Sequence, residues 1–478
     1  MGHFLLYQIL PLAALWIAFT ALGRLPSFGS WGVPSVFAAG AVLQFVFWIH
    51  ARPDLENPDS LGFFRLGHGL ETDLRSLLYR PKLYPMFLGL FHNLNAAVFW
   101  QSVFKLGMAG FLIRFAALCR WKSATTALVL CLFLCNSLWL REPLRIFDTA
   151  LFSFLFAAFL ALAAENLTRY STMKFAGLCL VAGLTDLTRQ VTDPSMALVM
   201  LAVILSVLYS AVVGTLEGAR ENGANGLEGV KRLFRPMCLC LVAGFLVAAS
   251  GAWYNGVHYG VYKRSVGLGV NIYTHAIYYQ LYDQHAKEWD FVEHFLPGAR
   301  RQYPSWETGY SNDMPWSVNA LPHRLERKMG SADAREILTN DRILRERFMD
   351  WALGNPGSYL ASFGNEVARL LGKCEEMYPV SLLDPGGHAP AVLRRVERGI
   401  IYQPLALLLC LGLAALVLAR RNRFLLLVPA LAAVSYLALV AAIQIGLTRY
   451  ALPAYLPLLT MAGEALDRIP VPWGKAKP

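Results

Sequence analysis

One carboxylate and two cations follow the second long apolar run of the chain. Asp59 comes soon after that run, and Arg80 and Lys82 flank a proline further along. Arginine chelates phosphate oxygens through paired hydrogen bonds, lysine acts as a point charge, and a positioned aspartate can accept a proton from a hydroxyl. Together they suit group transfer from a phosphate held at a membrane surface. The alternative for Asp59 is a cap on a helix predicted to begin near Ser60.

The loop that carries these residues is amphipathic. Leucines and phenylalanines recur at roughly helical spacing between 61 and 78, and charged residues occupy the other faces. This pattern predicts one or two helices lying in the membrane interface. Asp54 and Glu56 precede Asp59 in the same loop and remain alternative carboxylates.

Composition indicates a membrane protein. Of 478 residues, 56% are hydrophobic and only 16% are charged, whereas soluble domains average about 25% charged residues. The net charge of +11 comes from basic residues spread over short loops and one polar segment. Such a spread is expected beside membrane spans and does not form a nucleic-acid patch. We therefore expect no nucleic-acid partner.

Apolar runs long enough to cross about 30 Å of hydrocarbon recur along the chain. They predict an all-α polytopic protein with about eleven spans. The N-terminal run has no basic region before it, so we expect a retained span and not a cleaved signal peptide. The predicted spans are 3–22, 32–50, 97–118, 124–140, 148–165, 174–189, 195–213, 237–255, 399–419, 424–445 and 451–465.

Charge placement predicts the orientation of these spans. Four basic clusters, at 120–122, 169–174, 231–235 and 420–423, fall on one side if the spans alternate, and that side should be the cytoplasm. The sequence then divides into an N-terminal transmembrane hairpin, a first outer loop with juxtamembrane helices, a transmembrane core, an extracytoplasmic and mainly helical domain, and C-terminal helices with a cytoplasmic tail. The respective bounds are 1–50, 51–96, 97–255, 256–398 and 399–478.

A second predicted outer loop is short and charged. Arg141 and Arg145 lie there against the positive-inside rule, which suggests either a functional role or local pairing with Glu142 and Asp148. The cysteines lie mostly in apolar runs, and the histidines lack ligand-like spacing. The sequence therefore predicts no disulfide framework and no metal site.

Four segments, taken in order, resemble one family. "PDSLGFFRLGHGL" with "YRPKLYPMFLGLF", then "AGLTDLTRQVTDPSM", "SGAWYNGVHYGVYKRSVGLGVNIY" and "GLTRYALPAYLPLLTMAG" resemble motifs of polytopic GT-C glycosyltransferases. These include the dolichyl-phosphate-mannose:protein mannosyltransferases and the lipid A aminoarabinose transferases. The resemblance covers about residues 50 to 465. The chain departs from the family at Gln190, where proline is usual, and in the additional apolar run before the acidic loop.

The resemblance implies a GT-C-like bundle and roles for named residues. Asp59 would take the base-like role, with Glu142 or Asp148 as an acidic partner. Arg80, Lys82, Arg189 and Arg449 would meet the donor phosphate, although an arginine near a membrane interface more often snorkels or pairs structurally. Substrate contacts are expected from Trp253, Asn255 and Tyr450; for the aromatic cluster around Trp253, an interfacial aromatic belt is the simpler alternative.

The function expected from these observations is sugar transfer from a polyprenyl-phosphate donor to an acceptor hydroxyl. The acceptor would be a glycolipid, polysaccharide or protein at the outer face of a bacterial inner membrane, facing the periplasm or the exterior. No cofactor is expected, since no glycine-rich phosphate loop follows a strand. The alternatives are a polysaccharide polymerase or ligase at the same face, a lipid or solute transporter, and a nonenzymatic assembly protein.

Overall fold

Helices account for every regular element in the part of the chain that the structure describes. The structure is a computed structural model, and it describes residues 10–25, 27–49, 58–189, 193–213, 227–280, 287–299, 314–330, 333–372, 405–418, 423–443 and 448–469. The all-α class predicted from the sequence is therefore observed across these ranges.

The helices fall into three groups along the chain. The first runs from α1 to α12: α1 Leu10–Leu22, α2 Phe28–Ile49, α3 Pro58–Gly67, α4 Leu74–Tyr79, α5 Leu83–Gly89, α6 Leu94–Cys119, α7 Ser123–Leu134, α8 Ser137–Arg141, α9 Thr149–Thr168, α10 Thr172–Thr188, α11 Asp193–Val213 and α12 Leu227–Tyr259. The second is α13 Leu268–Gln280, α14 Lys287–Phe295, α15 Met314–Met329, α16 Ala334–Gly354 and α17 Pro356–Gly372. The third is α18 Leu405–Leu418, α19 Arg423–Ile443 and α20 Thr448–Arg468.

Within the described residues, six helices are long and apolar enough to cross a membrane: α2, α6, α9, α11, α12 and α19. The other five predicted spans coincide with helices that are shorter or more polar. Among them, α1, α7 and α18 are apolar helices of 10–17 residues. The chain is thus a helical protein with membrane-embedded character.

The bundle is organised around α9. Its side chains are apolar on every face, and 78% of its apolar window is buried inside the protein. A helix that is hydrophobic all round belongs in a core, because no face of it is suited to water. Helices α6, α10, α11, α19 and α20 pack around it. By contrast, only 11% of the corresponding window of α12 is buried, so α12 lies at the periphery.

Small residues bring α10 and α12 into close contact. A Cβ atom added at Gly183 would lie 2.6 Å from the carbonyl oxygen of Gly244, and one added at Gly244 would lie 2.5 Å from that of Cys179. Glycine permits such an approach because it has no side chain, which is how many membrane helices associate. The crossing anchors the peripheral α12, and with it the chain that continues into α13.

Polar contacts gather at two opposite ends of the bundle. At one end, the Trp121 indole donates to Glu464, and Glu165 pairs with Arg114 and Lys174. These residues belong to the predicted cytoplasmic side. The helices of the first predicted outer loop, α3 to α5, lie at the other end, which we call the first-loop end. The basic clusters 120–122 and 169–174 thus lie at the end opposite the first loop.

The polar segment forms helices that pack on one another and on the bundle. Helices α13, α15 and α16 share an apolar core that includes Tyr273, Leu325 and Phe348. The helical stretch expected near 333–354 corresponds to α16. Helix α17 packs against α18, α19 and α20, and its Leu370 lies in the main apolar core. The end of this segment is therefore attached to the membrane helices.

Two predicted boundaries need correction. The segment 124–140 was predicted as one span, but it is interrupted between α7 and α8 at Cys135 and Asn136. The one or two helices expected between 61 and 78 are observed as α3 and α4, and a third helix of the first outer loop, α5, follows them. Helix α3 begins at Pro58, so Asp59 lies in its first turn and not in the cap position before Ser60.

Candidate functional site

The three helices of the first loop fold into a tight structure. Helices α3 and α5 cross so closely that a Cβ atom on Gly67 would lie 2.5 Å from the carbonyl oxygen of Pro85. The Phe63 and Tyr84 rings meet edge to face with centroids 5.0 Å apart, and Leu88 is fully buried beside them. This packing fixes α3 relative to the chain that carries Arg80 and Lys82.

Arg80 lies directly against the turn of α3 that follows Asp59. Its guanidinium carbon lies 4.3 Å from the centroid of the Phe63 ring. A Cβ atom on Gly62 would lie 2.8 Å from its Nη2 atom. Residues three and four apart share one face of a helix. The backbone of Asp59 is therefore one helical turn from Gly62 and Phe63, the two residues that Arg80 contacts. The Asp59 side chain lies outside the described residues, as do Asp54 and Glu56.

Lys82 occupies a desolvated, aromatic environment. Its ammonium lies 5.8 Å from the ring centroids of both Tyr254 and Tyr259 at the end of α12, and it donates to the Leu77 carbonyl oxygen. Burial lowers the pKa of this ammonium to about 8. Lys82 therefore joins the first loop to the point where the chain leaves α12.

Titration of Lys82 predicts a pH-dependent affinity for an anionic ligand. Because its pKa is about 8, the positive charge is present below that pH and is lost as the pH rises through it. Affinity of this loop for an anionic ligand should therefore fall between about pH 7 and about pH 9, well below the usual lysine range near 10.4. Binding to protein in nanodiscs, followed across this range, measures the effect. Lys82→Arg keeps its charge and should remove the fall; an unchanged fall in that variant would contradict the assignment.

Tyr84 connects the first loop with the two acidic candidates of the second loop. It is fully buried, and its hydroxyl donates to Gln101 at 3.1 Å. Burial raises the pKa of Tyr84 well above its usual value, and the nearby charges of Asp148 and Glu142 raise it further. The phenol therefore stays neutral and lies within electrostatic range of both carboxylates.

Side-chain hydrogen bonds from α6 fix the backbone of the second loop. The Gln101 amide donates to the carbonyl oxygens of Pro143 and Arg145, at 3.1 and 2.9 Å. Glu142, only 1% exposed, opens the short 3₁₀ turn Glu142–Leu144. The second loop therefore has a fixed backbone position next to the first loop, against which it packs.

Asp148 forms a two-point ion pair with Arg189. The distances are 2.5 Å from Nη2 to Oδ1 and 3.2 Å from Nε to Oδ2, and both side chains are nearly buried. The guanidinium carbon also lies 5.1 Å from the centroid of the Phe152 ring. Asp148 occupies the N-cap position of α9, but its side chain makes no capping hydrogen bond there. Its carboxylate pairs with Arg189 instead.

A second acid–arginine pair lies one turn away, and the sequence did not single it out. Asp186, 3% exposed, lies three residues before Arg189 on α10 and approaches Nη1 of Arg264 at 2.6 Å. Asp186 was hidden in the apolar run that predicted the span 174–189. A charged residue inside such a run is itself a signal, because burial of a charge in a membrane helix is costly unless it is paired.

The predicted substrate-contact residues have different surroundings. Asn255 is fully buried, and its amide donates to the carbonyl oxygens of Lys263 and Arg264 at 2.8 and 3.1 Å, which shapes the turn after α12. Trp253 is 67% exposed on α12, as a residue facing lipid or the interface would be. Arg449 and Tyr450 lie in the first turn of α20, and their side chains lie outside the described residues.

Four separate segments that carry charged residues are therefore neighbours at the first-loop end. Those segments are 58–89, 142–149, 186–189 and 254–264, and each touches at least one other through the contacts given above. Among the described residues, no group of three or more histidine, cysteine or acidic side chains could hold a metal ion. No protein-family model matches the chain, and comparison with curated proteins and with solved structures finds no match to it.

Proposed function

We propose that this protein is a membrane glycosyltransferase that uses a polyprenyl-phosphate-linked sugar as donor. The observation that carries the proposal is that two charged loops pack together at one end of an apolar bundle. The first loop carries Arg80 and Lys82, and its buried Tyr84 lies within electrostatic range of Glu142 and Asp148 in the second. Asp148 in turn pairs with Arg189. A lipid-linked phosphate presents its charge at the membrane interface and its tail to the apolar helices. Arginine and lysine at that depth suit such a ligand.

The proposed reaction gives each of these groups, together with Asp59, a chemical role. The acceptor oxygen would attack the anomeric carbon while its proton passes to the Asp59 carboxylate. The bond between that carbon and the phosphate oxygen would break, and polyprenyl phosphate would leave with the bonding electrons. Arg80 and Lys82 would stabilise the charge on this leaving group, which is where a preorganised cation is most effective.

The ion pair Asp148–Arg189 gives Arg189 a different part in this scheme from the one expected. Its guanidinium makes two hydrogen bonds to a carboxylate. Arg189 would therefore not bind the phosphate directly but would line the site as a positively charged group in a fixed position. Arg80, which follows α4 and lies against α3, would be the principal phosphate ligand. Glu142 would orient the acceptor or the sugar.

The proposal includes a membrane arrangement. All eleven predicted segments, including the five whose helices are short or polar, would cross or enter the bilayer as a GT-C-like bundle. The basic clusters would face the cytoplasm, and the first-loop end would face the periplasm or the exterior of a bacterial inner membrane. Acceptors at that face would be glycolipid, polysaccharide or protein.

Arg80→Met should weaken donor binding by about 10- to 100-fold. Hydrogen bonds to a charged group contribute about 1.5–3 kcal/mol, and about 1.4 kcal/mol corresponds to a tenfold change. Titration of a polyprenyl-phosphate sugar into protein in nanodiscs measures the change. Arg65→Met changes an exposed arginine of α3, the helix against which Arg80 lies; it is the matched control and should bind normally. Loss of acceptor affinity alone would contradict the phosphate role.

One observation favours the transporter alternative. Transporters bind substrate near the bilayer midplane with interrupted helices, and here the interruption at Cys135 lies beside the buried Lys105 of α6. The Lys105 amine, however, already contacts two acceptors of the protein at 2.9 Å. Uptake of labelled lipid into proteoliposomes without sugar transfer would favour transport over the glycosyltransferase.

A further inference from the structure

The interruption between α7 and α8 leaves helix-end carbonyl groups inside the bundle. Helix α7 ends at Leu134, and α8 begins at Ser137. The last carbonyl groups of a helix have no partner within it, and in an apolar surrounding each unsatisfied group costs several kcal/mol. A membrane helix can break at this depth only where the surrounding side chains supply donors.

Lys105 supplies a donor on the near side of the interruption. Its Nζ atom donates to the Leu134 carbonyl oxygen and to Oε1 of Gln44, both at 2.9 Å. Both side chains belong to fully buried residues. The C-terminal end of a helix carries about half a negative charge, so the ammonium is partly compensated by the end of α7.

Gln44 extends the contact to the far side. Its Nε2 atom donates to the Leu140 carbonyl oxygen at 3.4 Å and to Oγ of Ser102 at 3.2 Å. A continuous polar bridge therefore runs from the Leu134 carbonyl through Lys105 and Gln44 to the Leu140 carbonyl. It joins the C-terminal end of α7 to the last turn of α8, on the other side of the interruption.

The same face of α6 also holds the second loop. Gln101 lies four residues before Lys105, one turn nearer the first-loop end, and it donates to the carbonyl oxygens of Pro143 and Arg145. Gln101, Ser102 and Lys105 thus form a polar strip on α6 that follows the chain from residue 134 to residue 145. Glu142 lies within this stretch, two residues beyond Leu140.

We infer that Lys105 is a positioning residue that fixes the interruption between α7 and α8 and, through it, the place of Glu142. The part concerning Glu142 rests on the proposed glycosyltransferase function. A lysine inside a membrane helix is costly and is retained where it serves a specific contact. Here that contact lies about 16 Å along α6 from its first-loop end, at 1.5 Å per residue, so Lys105 acts at a distance from the charged site.

Hydrogen–deuterium exchange and transfer kinetics on the intact protein in nanodiscs test this inference. Lys105→Met should raise amide exchange at residues 135–145 at least tenfold and lower kcat about tenfold, with KM for the donor changed less than twofold. Lys105→Arg retains a cationic donor and should recover most of both properties. Arg114→Met is the control on the same helix but at its opposite end. It breaks the ion pair between the half-exposed Arg114 and Glu165 and should leave exchange at 135–145 unchanged.

A second variant keeps the test decisive if Lys105→Met does not fold. Gln44→Glu keeps an acceptor beside the ammonium but cannot donate to Leu140, so exchange should rise at 137–145 while the protein remains folded. Unchanged exchange in this variant would overturn the bridge. Raised exchange with unaltered kcat would overturn the positioning of Glu142. If the wild-type protein transfers no sugar, the proposed function fails, and the exchange data still decide whether the bridge exists.

Discussion

Asp59→Asn should lower the rate of sugar transfer by about 10²- to 10⁴-fold, the usual contribution of a general base, and leave donor binding nearly unchanged. Asparagine has almost the same shape as aspartate but cannot accept a proton from the acceptor hydroxyl. The backbone of Asp59 lies one turn from Gly62, which contacts Arg80. Steady-state transfer by purified protein, together with donor titration, separates the loss of proton transfer from a loss of binding.

The neighbouring carboxylates provide matched controls for this experiment. Asp54→Asn and Glu56→Gln change the same loop by the same chemistry and should retain most of the activity. Full activity in Asp59→Asn would exclude the proposed role. A loss confined to Asp54→Asn or Glu56→Gln would move that role to the corresponding residue.

Arg189→Met should destabilise the protein by about 3–5 kcal/mol, because it leaves the Asp148 carboxylate buried without its counter-charge. Both side chains are close to 90% buried, with exposures of 11% for Arg189 and 12% for Asp148. Sugar transfer should fall as well, since the positively charged Arg189 guanidinium no longer lines the site. Thermal unfolding in detergent measures the first effect, and transfer kinetics at a temperature where both proteins are folded measures the second.

A double variant distinguishes the two roles of this pair. Asp148→Asn combined with Arg189→Gln removes both charges and leaves two groups that can hydrogen-bond to each other. We expect its stability to return towards that of the wild type while transfer stays low. Recovery of transfer in the double variant would show that the pair has only a structural role.

Local patterns predicted most of the helices. An apolar run and its polar ends are properties of neighbouring residues, so the predicted segments 97–118 and 148–165 correspond closely to α6 and α9. The interruption at Cys135 escaped prediction although its neighbour Asn136 is a local signal: the Asn136 side chain accepts from the backbone N–H of Trp139, as a helix N-cap does. The donors that the Leu134 and Leu140 carbonyl groups find, Lys105 on α6 and Gln44 on α2, are distant in sequence and could not be predicted.

The candidate site shows the same division. Arg80 and Lys82 were recognisable from their residue types beside a proline in an interfacial loop. The partner of Asp148 could not be recognised in this way. Arg189 is 41 residues away, and the nearer arginines at 141 and 145 were the obvious alternatives. The partners of Asp186 and Tyr84 become visible only from packing, since each is buried next to a charge from another segment of the chain.

The most direct test of the central claim is the identity of the lipid that co-purifies with the protein, determined by mass spectrometry. The glycosyltransferase proposal predicts that a polyprenyl-phosphate species is enriched over its share of the total membrane lipid. It also predicts that Arg80→Met reduces this enrichment, whereas Arg65→Met does not. The absence of any such enrichment, or equal enrichment with Arg80→Met and the wild-type protein, would contradict the proposed donor site.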